Sequence, residues 1–188
     1  MKIGLFFGSF NPIHVGHLIL AQYFANHTDL DQIWLVVSPQ NPFKEAKNLL
    51  NQNERLHLAQ MAVGNNPKIR VSNFEFSLPK PSYTIDTLNA LAKKYPKYEF
   101  SLIMGQDNLQ NLHKWKDANA LRNAYKIFVY PRANTAHFEP TENIKILAAP
   151  IIEISSTQIR QNIKNGLSIQ YLVPEVIVDE LANNLFFK

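Results

Sequence analysis

Residues 3–17 read IGLFFGSFNPIHVGH, and the fold turns on this stretch. Ile3–Phe7 is an unbroken apolar run of branched and aromatic side chains, the pattern of a strand buried on both faces in a parallel sheet. Gly8 ends it, Ser9, Phe10 and Asn11 turn the chain, and Pro12 suits a first helical turn because its missing N–H would have no partner there. The spacing predicts a helix over 13–26. Two histidines, His14 and His17, fall on its opening turns.

Working outward, the same alternation repeats. Ile33–Val37, Phe100–Met104, Ile127–Tyr130 and Ile151–Ile154 are short apolar runs bounded by turn residues and read as further buried strands. Helical spacing occupies 53–63, 84–94, 157–164 and 174–184, with Ser155 or Ser156 as a cap, Gly166 as a stop and Pro174 at a first turn. Strands alternating with helices predict an α/β chain: a Rossmann-like open parallel sheet with helices on both faces, one domain over 1–188. Ligands in such sheets bind beyond the carboxyl ends of the strands. The segments leaving those ends are Gly8–His17, Ser38–Lys44, Gly105–Trp115, Pro131-Arg132 and Ser155–Arg160.

Composition narrows the chemistry. The chain has 188 residues, 46% of them apolar and 18% charged, which reads as soluble and globular. It has no cysteine, so disulfides, thiolate metal sites and cysteine nucleophiles are excluded. Neither a signal-peptide core nor a run of about 20 apolar residues is present, so a cytoplasmic protein without a membrane partner is expected. The net charge of +4 comes from 19 basic residues spread along the chain. Scattered bases suit phosphorylated small molecules at least as well as nucleic acid, and no nucleic-acid partner is expected.

His14 and His17 lie within about 60° of one another on a helix, so both can reach one anion. Gly16 leaves space between them. A metal would need further ligands, and His27, His57, His113 and His137 show no grouping with the pair; a phosphate cradle and a plain helix start both stay open. ISSTQIR, 154–160, offers a second anion site from hydroxyls, a helix N-terminus and the Arg160 guanidinium, or an ordinary N-cap with a solvated arginine. The sequence contains neither GxGxxG nor GxxxxGK[ST].

Taken together, GSFNPIHVGH and ISSTQIR resemble the nucleotidyltransferase superfamily marked by HxGH and ISSTxxR motifs. SPQNPFK (38–44), PSYTIDTL (81–88) and GQDNLQNLHKWK (105–116) narrow the resemblance to bacterial nicotinate-nucleotide adenylyltransferases, over essentially the whole chain. The resemblance implies a fold of nucleotidyltransferase type and transfer of AMP from ATP to nicotinate mononucleotide, giving deamido-NAD and pyrophosphate. It implies Mg²⁺ arriving with ATP, held by phosphate oxygens and water, with no metal ligands from the protein. His14, His17, Lys44 and Arg160 would be catalytic. Gly8, Ser9, Phe10, Arg132, Ser155, Ser156 and Thr157 would join them in binding ATP. Tyr83, Thr84, Gly105, Asp107, Trp115 and Lys116 would hold the mononucleotide, with Trp115 stacked on the pyridine ring.

Many members have aspartate where this chain has Asn11, and a role resting on that charge would be weakened here. Rival readings are a sibling enzyme with another phosphorylated acceptor and a nucleotide-binding regulator without catalysis. Homo-oligomerisation stays open.

Overall fold

A computed structural model describes residues 1–40, 49–133, 135 and 138–187. Six parallel strands form one sheet: β1 (Lys2–Gly8), β2 (Gln32–Val37), β3 (Ile69–Ser72), β4 (Glu99–Gly105), β5 (Lys126–Tyr130) and β6 (Ile144–Ile146). Their spatial order is β3-β2-β1-β4-β5-β6. The chain therefore runs outward in one direction from β1 and then in the other from β4. The crevice between the carboxyl ends of β1 and β4 is the switch point where ligands of such sheets bind.

Strand side chains alternate between two cores because successive residues face opposite sides of the sheet. Phe6, Ile33, Leu35, Val37, Phe128 and Tyr130 pack on one side with α1 (Val15–His27), α2 (Gln52–Val63), α6 (Ser156–Lys164) and α7 (Val178–Asn183). Ile3, Leu5, Trp34, Val36, Leu102 and Val129 pack on the other with α3 (Thr84–Lys94), α4 (Gln106–Gln110) and α5 (Ala118–Ala124). The parallel sheet with helices on both faces is as the apolar pattern predicted.

The structure departs from the sequence reading in four places. Ile151–Ile154 is not a strand: Ile151 is 60% exposed, and the sixth strand is Ile144–Ile146 upstream. β3 was not anticipated. The first helix starts at Val15 with His14 as its N-cap, while Pro12 belongs to the preceding turn after a cis Asn11–Pro12 bond. The final helix is divided into a 3-10 turn, Glu175–Ile177, and α7. Gly166 follows the Asn165 cap of α6 as expected.

Candidate active site

The turn after β1 is built around a buried aromatic ring. Phe10 holds a left-handed backbone, φ 44°, which is unusual for a bulky residue and requires support from its surroundings. That support is packing: its side chain is 2% exposed and meets the His17 ring edge-on, centroids 4.9 Å apart. A side chain on Gly8 would strike this ring, so glycine is required at the end of β1.

His14 and His17 do lie together, with stacked rings 3.7 Å apart. They are not equivalent. His17 Nδ1 accepts the His14 backbone N–H at 3.2 Å, which places the imidazole proton on Nε2 as a donor. His14 is 6% exposed and its Nδ1 has no partner among the described residues. Burial, and then the Arg132 charge, lower its pKa to about 4, so it is neutral near pH 7. The space above Gly16 is occupied by the His14 ring and Ile152, correcting the expectation that Gly16 leaves room for a ligand.

The start of α6 is tied to this turn. Ser155 Oγ caps the helix by accepting from Gln158 N–H at 3.2 Å, and Ser156 Oγ donates to the Pro12 carbonyl at 2.9 Å. Arg160 donates from Nη1 to the Asn11 carbonyl at 2.8 Å and from Nη2 to Thr157 Oγ1 at 3.2 Å, so it is not the solvated arginine that the motif alone allowed. The two segments, some 140 residues apart in sequence, wall one cleft of about 1190 Å³ containing Ser9, His14, His17, Arg132, Thr157 and Arg160. Lys44 lies outside the described residues.

A second cleft of about 770 Å³ adjoins it, and the two share Phe7, Gly8 and Asn108. Trp115 forms one wall, with Tyr83 and Thr84 at the N-terminus of α3 and Lys116 at the rim. Lys116 Nζ pairs with both Asp86 carboxylate oxygens, at 2.8 and 2.9 Å, and lies 5.1 Å from the Tyr83 ring centre. Gly105 ends β4, and Asp107 just beyond it lies 3.7 Å from Arg132 Nε, so a carboxylate and a guanidinium face each other over the switch point.

Two residues that hold these clefts, Arg55 and Glu75, carried no signal in the sequence, and a third, Asn11, was noted there without the bond it makes. Arg55, 1% exposed, donates to the carbonyls of Ser9, Ser38, Pro39 and Leu50, fastening the ends of β1 and β2 to the approach to α2. Burial alone lowers its pKa to about 10, leaving it charged. Asn11 Oδ1 accepts the Leu50 N–H at 3.1 Å, a structural role that an amide oxygen fills without charge. Glu75, 1% exposed, lines the Trp115 cleft. Only the register of distant segments, set by the fold, brings these partners together.

Among the described residues no three His, Asp or Glu side chains gather as metal ligands, and no helix is long and apolar enough to cross a membrane.

Comparison with known proteins agrees with the fold. A family model described as cytidylyltransferase-like matches residues 5–162. A probable nicotinate-nucleotide adenylyltransferase of Flavobacterium psychrophilum is 51% identical over the whole of both chains. One of Cytophaga hutchinsonii is 48% identical, covering all of this chain and 98% of its own. Among solved structures, the Plasmodium falciparum nicotinic acid mononucleotide adenylyltransferase complexed with NaAD superposes with a TM-score of 0.85 at 20% identity, covering 98% of this chain and 97% of its own. The chain belongs to the cytidylyltransferase-like family, in the branch of its nicotinate-nucleotide adenylyltransferase relatives.

Proposed function

We propose that this chain, one nucleotidyltransferase domain over 1–188, is a nicotinate-nucleotide adenylyltransferase of the cytoplasm that transfers AMP from ATP to nicotinate mononucleotide. The observation that carries this reading is the shared wall of the two clefts. A cation- and hydroxyl-lined cleft and an aromatic cleft meet at Phe7, Gly8 and Asn108, so a triphosphate in one can face a mononucleotide phosphate from the other.

The mononucleotide phosphate is largely ionised near pH 7 and needs no general base. One of its oxygens attacks the α-phosphorus of ATP, and the bond from that phosphorus to the bridging oxygen breaks in line. Pyrophosphate leaves with the electron pair, and deamido-NAD remains. Catalysis is then positioning and stabilisation of developing charge. His17 Nε2–H is the donor aimed at the phosphates, and neutral His14 joins it from beneath. Arg160, Ser155, Ser156, Thr157 and Arg132 hold the triphosphate with the backbone of Gly8, Ser9 and Phe10; Lys44 enters this set from the motif alone. In the second cleft Trp115 stacks on the ring, the Tyr83 and Thr84 amides receive its carboxylate, and Lys116 stands at the rim. Gly105 and Asp107 complete the mononucleotide site from the end of β4, where Asp107 faces Arg132.

The donor set around the triphosphate is cationic and hydroxylic, with Asp107 its nearby carboxylate. That suits Mg²⁺ carried by phosphate oxygens and water, which neutralises charge on the triphosphate.

The test is pyrophosphate release with ATP and Mg²⁺ across nicotinate mononucleotide, nicotinamide mononucleotide and phosphopantetheine. Nicotinate mononucleotide should give the highest kcat/KM. Faster turnover of another acceptor would reassign the substrate. Tight ATP binding with no pyrophosphate from any of them would favour a regulator.

A further inference from the structure

Among the described residues Glu75 is the only buried acid, and the reaction as drawn leaves it unused. It sits on the 3-10 turn Phe74–Ser77 that follows β3, and reaches the wall of the Trp115 cleft together with Ser38 and Ser82. Its Oε1 accepts the Thr87 hydroxyl at 2.7 Å. Its Oε2 has no hydrogen-bond partner among the described residues, and neither does the buried Ser82 Oγ. Buried polar atoms left unsatisfied are costly, and two of them on the wall of a ligand cleft point to a group that arrives with the ligand.

Among the described residues no cation compensates this carboxyl. Lys116 is committed to Asp86, and Lys114 donates to Asn111 Oδ1 at 2.9 Å. Burial holds Glu75 above the ordinary carboxyl range, while the Thr87 bond and the nearby Ser38 and Ser82 hydroxyls pull the other way without closing a bond to Oε2.

We propose that Glu75 is a specificity-determining residue of this cleft, meeting the pyridine substituent with Ser82: protonated it donates to a ring carboxylate, and ionised it accepts from a ring amide. This rests on the cleft being the mononucleotide site. A carboxylate beside an ionised Glu75 would set two like charges in one small space, which is tolerated only when they share a proton. An amide NH2 has the opposite need. Discrimination between acid and amide rings thus follows the proton on Glu75.

The test is the ratio of kcat/KM for nicotinate over nicotinamide mononucleotide, measured against pH in wild type and Glu75→Gln. Both substrates share the phosphate and ATP, so titrations common to the two cancel. Tyr83, Asp86, Lys114 and Lys116 around the cleft and Lys94 over the Phe74 ring are the exposed ionisable neighbours, and they are retained in the variant. Glutamine keeps an oxygen for Thr87 and presents a fixed NH2 donor. The wild-type ratio should fall about tenfold or more as the pH rises from the acid to the alkaline side of the Glu75 titration, the scale of a hydrogen bond to a charged group. In Glu75→Gln the ratio should stay high and flat, with KM for ATP unchanged.

A wild-type ratio constant within about twofold would overturn the proposal, since a charge-assisted bond is worth more than that. So would a Gln variant that follows the wild-type profile. Should the variant melt too low to assay, the wild-type profile decides alone. If neither mononucleotide is turned over, the reading of the cleft falls, and the proposal with it.

Discussion

Arg55 and Glu75 are each 1% exposed and both support the two adjoining clefts, Arg55 through the Ser9 and Ser38 carbonyls and Glu75 on the wall beside Trp115, but their hydrogen bonding differs. Arg55 meets four backbone carbonyls drawn from the ends of β1 and β2 and the approach to α2. Glu75 meets one hydroxyl and keeps an open oxygen. A buried ion whose bonds are all closed within the fold fixes architecture; one with an open position holds recognition capacity for a ligand. Arg55 thus braces the ends of β1 and β2, while Glu75 keeps a polar atom in reserve on the ring side.

The contrast is most exposed to Arg55→Met set against Glu75→Gln. Removing the guanidinium strips donors from four carbonyls and should cost about 3–5 kcal/mol, the range for breaking a buried charged network. At about 2–4 °C per kcal/mol for a chain of this size, the melting temperature should drop by roughly 6–20 °C. Glu75→Gln should melt close to wild type. If calorimetry found equal losses, Glu75 would be architecture as well, and the comparison would collapse.

Next in size is His17→Ala. Loss of one preorganised donor to a developing oxyanion should reduce turnover on the order of 10²–10³-fold. The loss should be the same with acid and amide mononucleotides, because His17 faces the phosphate cleft and not the ring. Steady-state rates with both acceptors test this, and a change in their ratio would show that the clefts do not divide the work as described.

The phosphate side was also the more legible in sequence. Ile3–Phe7, the glycine turn and the paired histidines are local features, and local periodicity reads them correctly. Ile151–Ile154 misled because an apolar run becomes a strand only with a ladder partner. Here that place is taken by Ile144–Ile146, and the later isoleucines run irregularly, with Ile152 and Ile154 against the core. β3, with its exposed Arg70 and only Ile69 fully buried, has too little apolar signal to stand out. Arg55 and Glu75, and the partner of Asn11, were illegible for a different reason. The partners of Arg55, Glu75 and Asn11 lie 5 to 46, 12 and 39 residues away, and nothing in a motif announces a bond to a remote carbonyl, hydroxyl or amide.

Acid should separate the two sides again through His14. Its folded pKa, about 4, is depressed by burial from an unfolded value near 6.5, so the fold favours the neutral ring. The unfolded chain then binds the proton first, and this contribution is intact above about pH 6.5 and lost as pH falls through about 4. At about 1.4 kcal/mol per pKa unit, it amounts to about 3 kcal/mol. Urea titrations over that range should show the slope, and His14→Asn should flatten it. An unchanged slope in the variant would mean that His14 is not the group responsible.

The smallest effect belongs to Asn11, where the phosphate-side bracing is thinnest. Its side-chain oxygen takes the Leu50 N–H, while its backbone carbonyl takes Arg160. Asn11→Ala removes the first bond, leaves the second, and should cost about 1–2 kcal/mol by leaving a buried N–H without a partner. Asn11→Asp keeps an acceptor in the same place and should melt nearer to wild type, which is why asparagine can serve here without the negative charge. KM for ATP should move little in Asn11→Ala, because Arg160 is held by the backbone. Equal destabilisation by both substitutions would mean that the Leu50 bond is not what this position contributes. A large rise in KM for ATP in Asn11→Ala would mean that the amide reaches the triphosphate itself and belongs with the ligand-facing groups, as Glu75 does on the ring side.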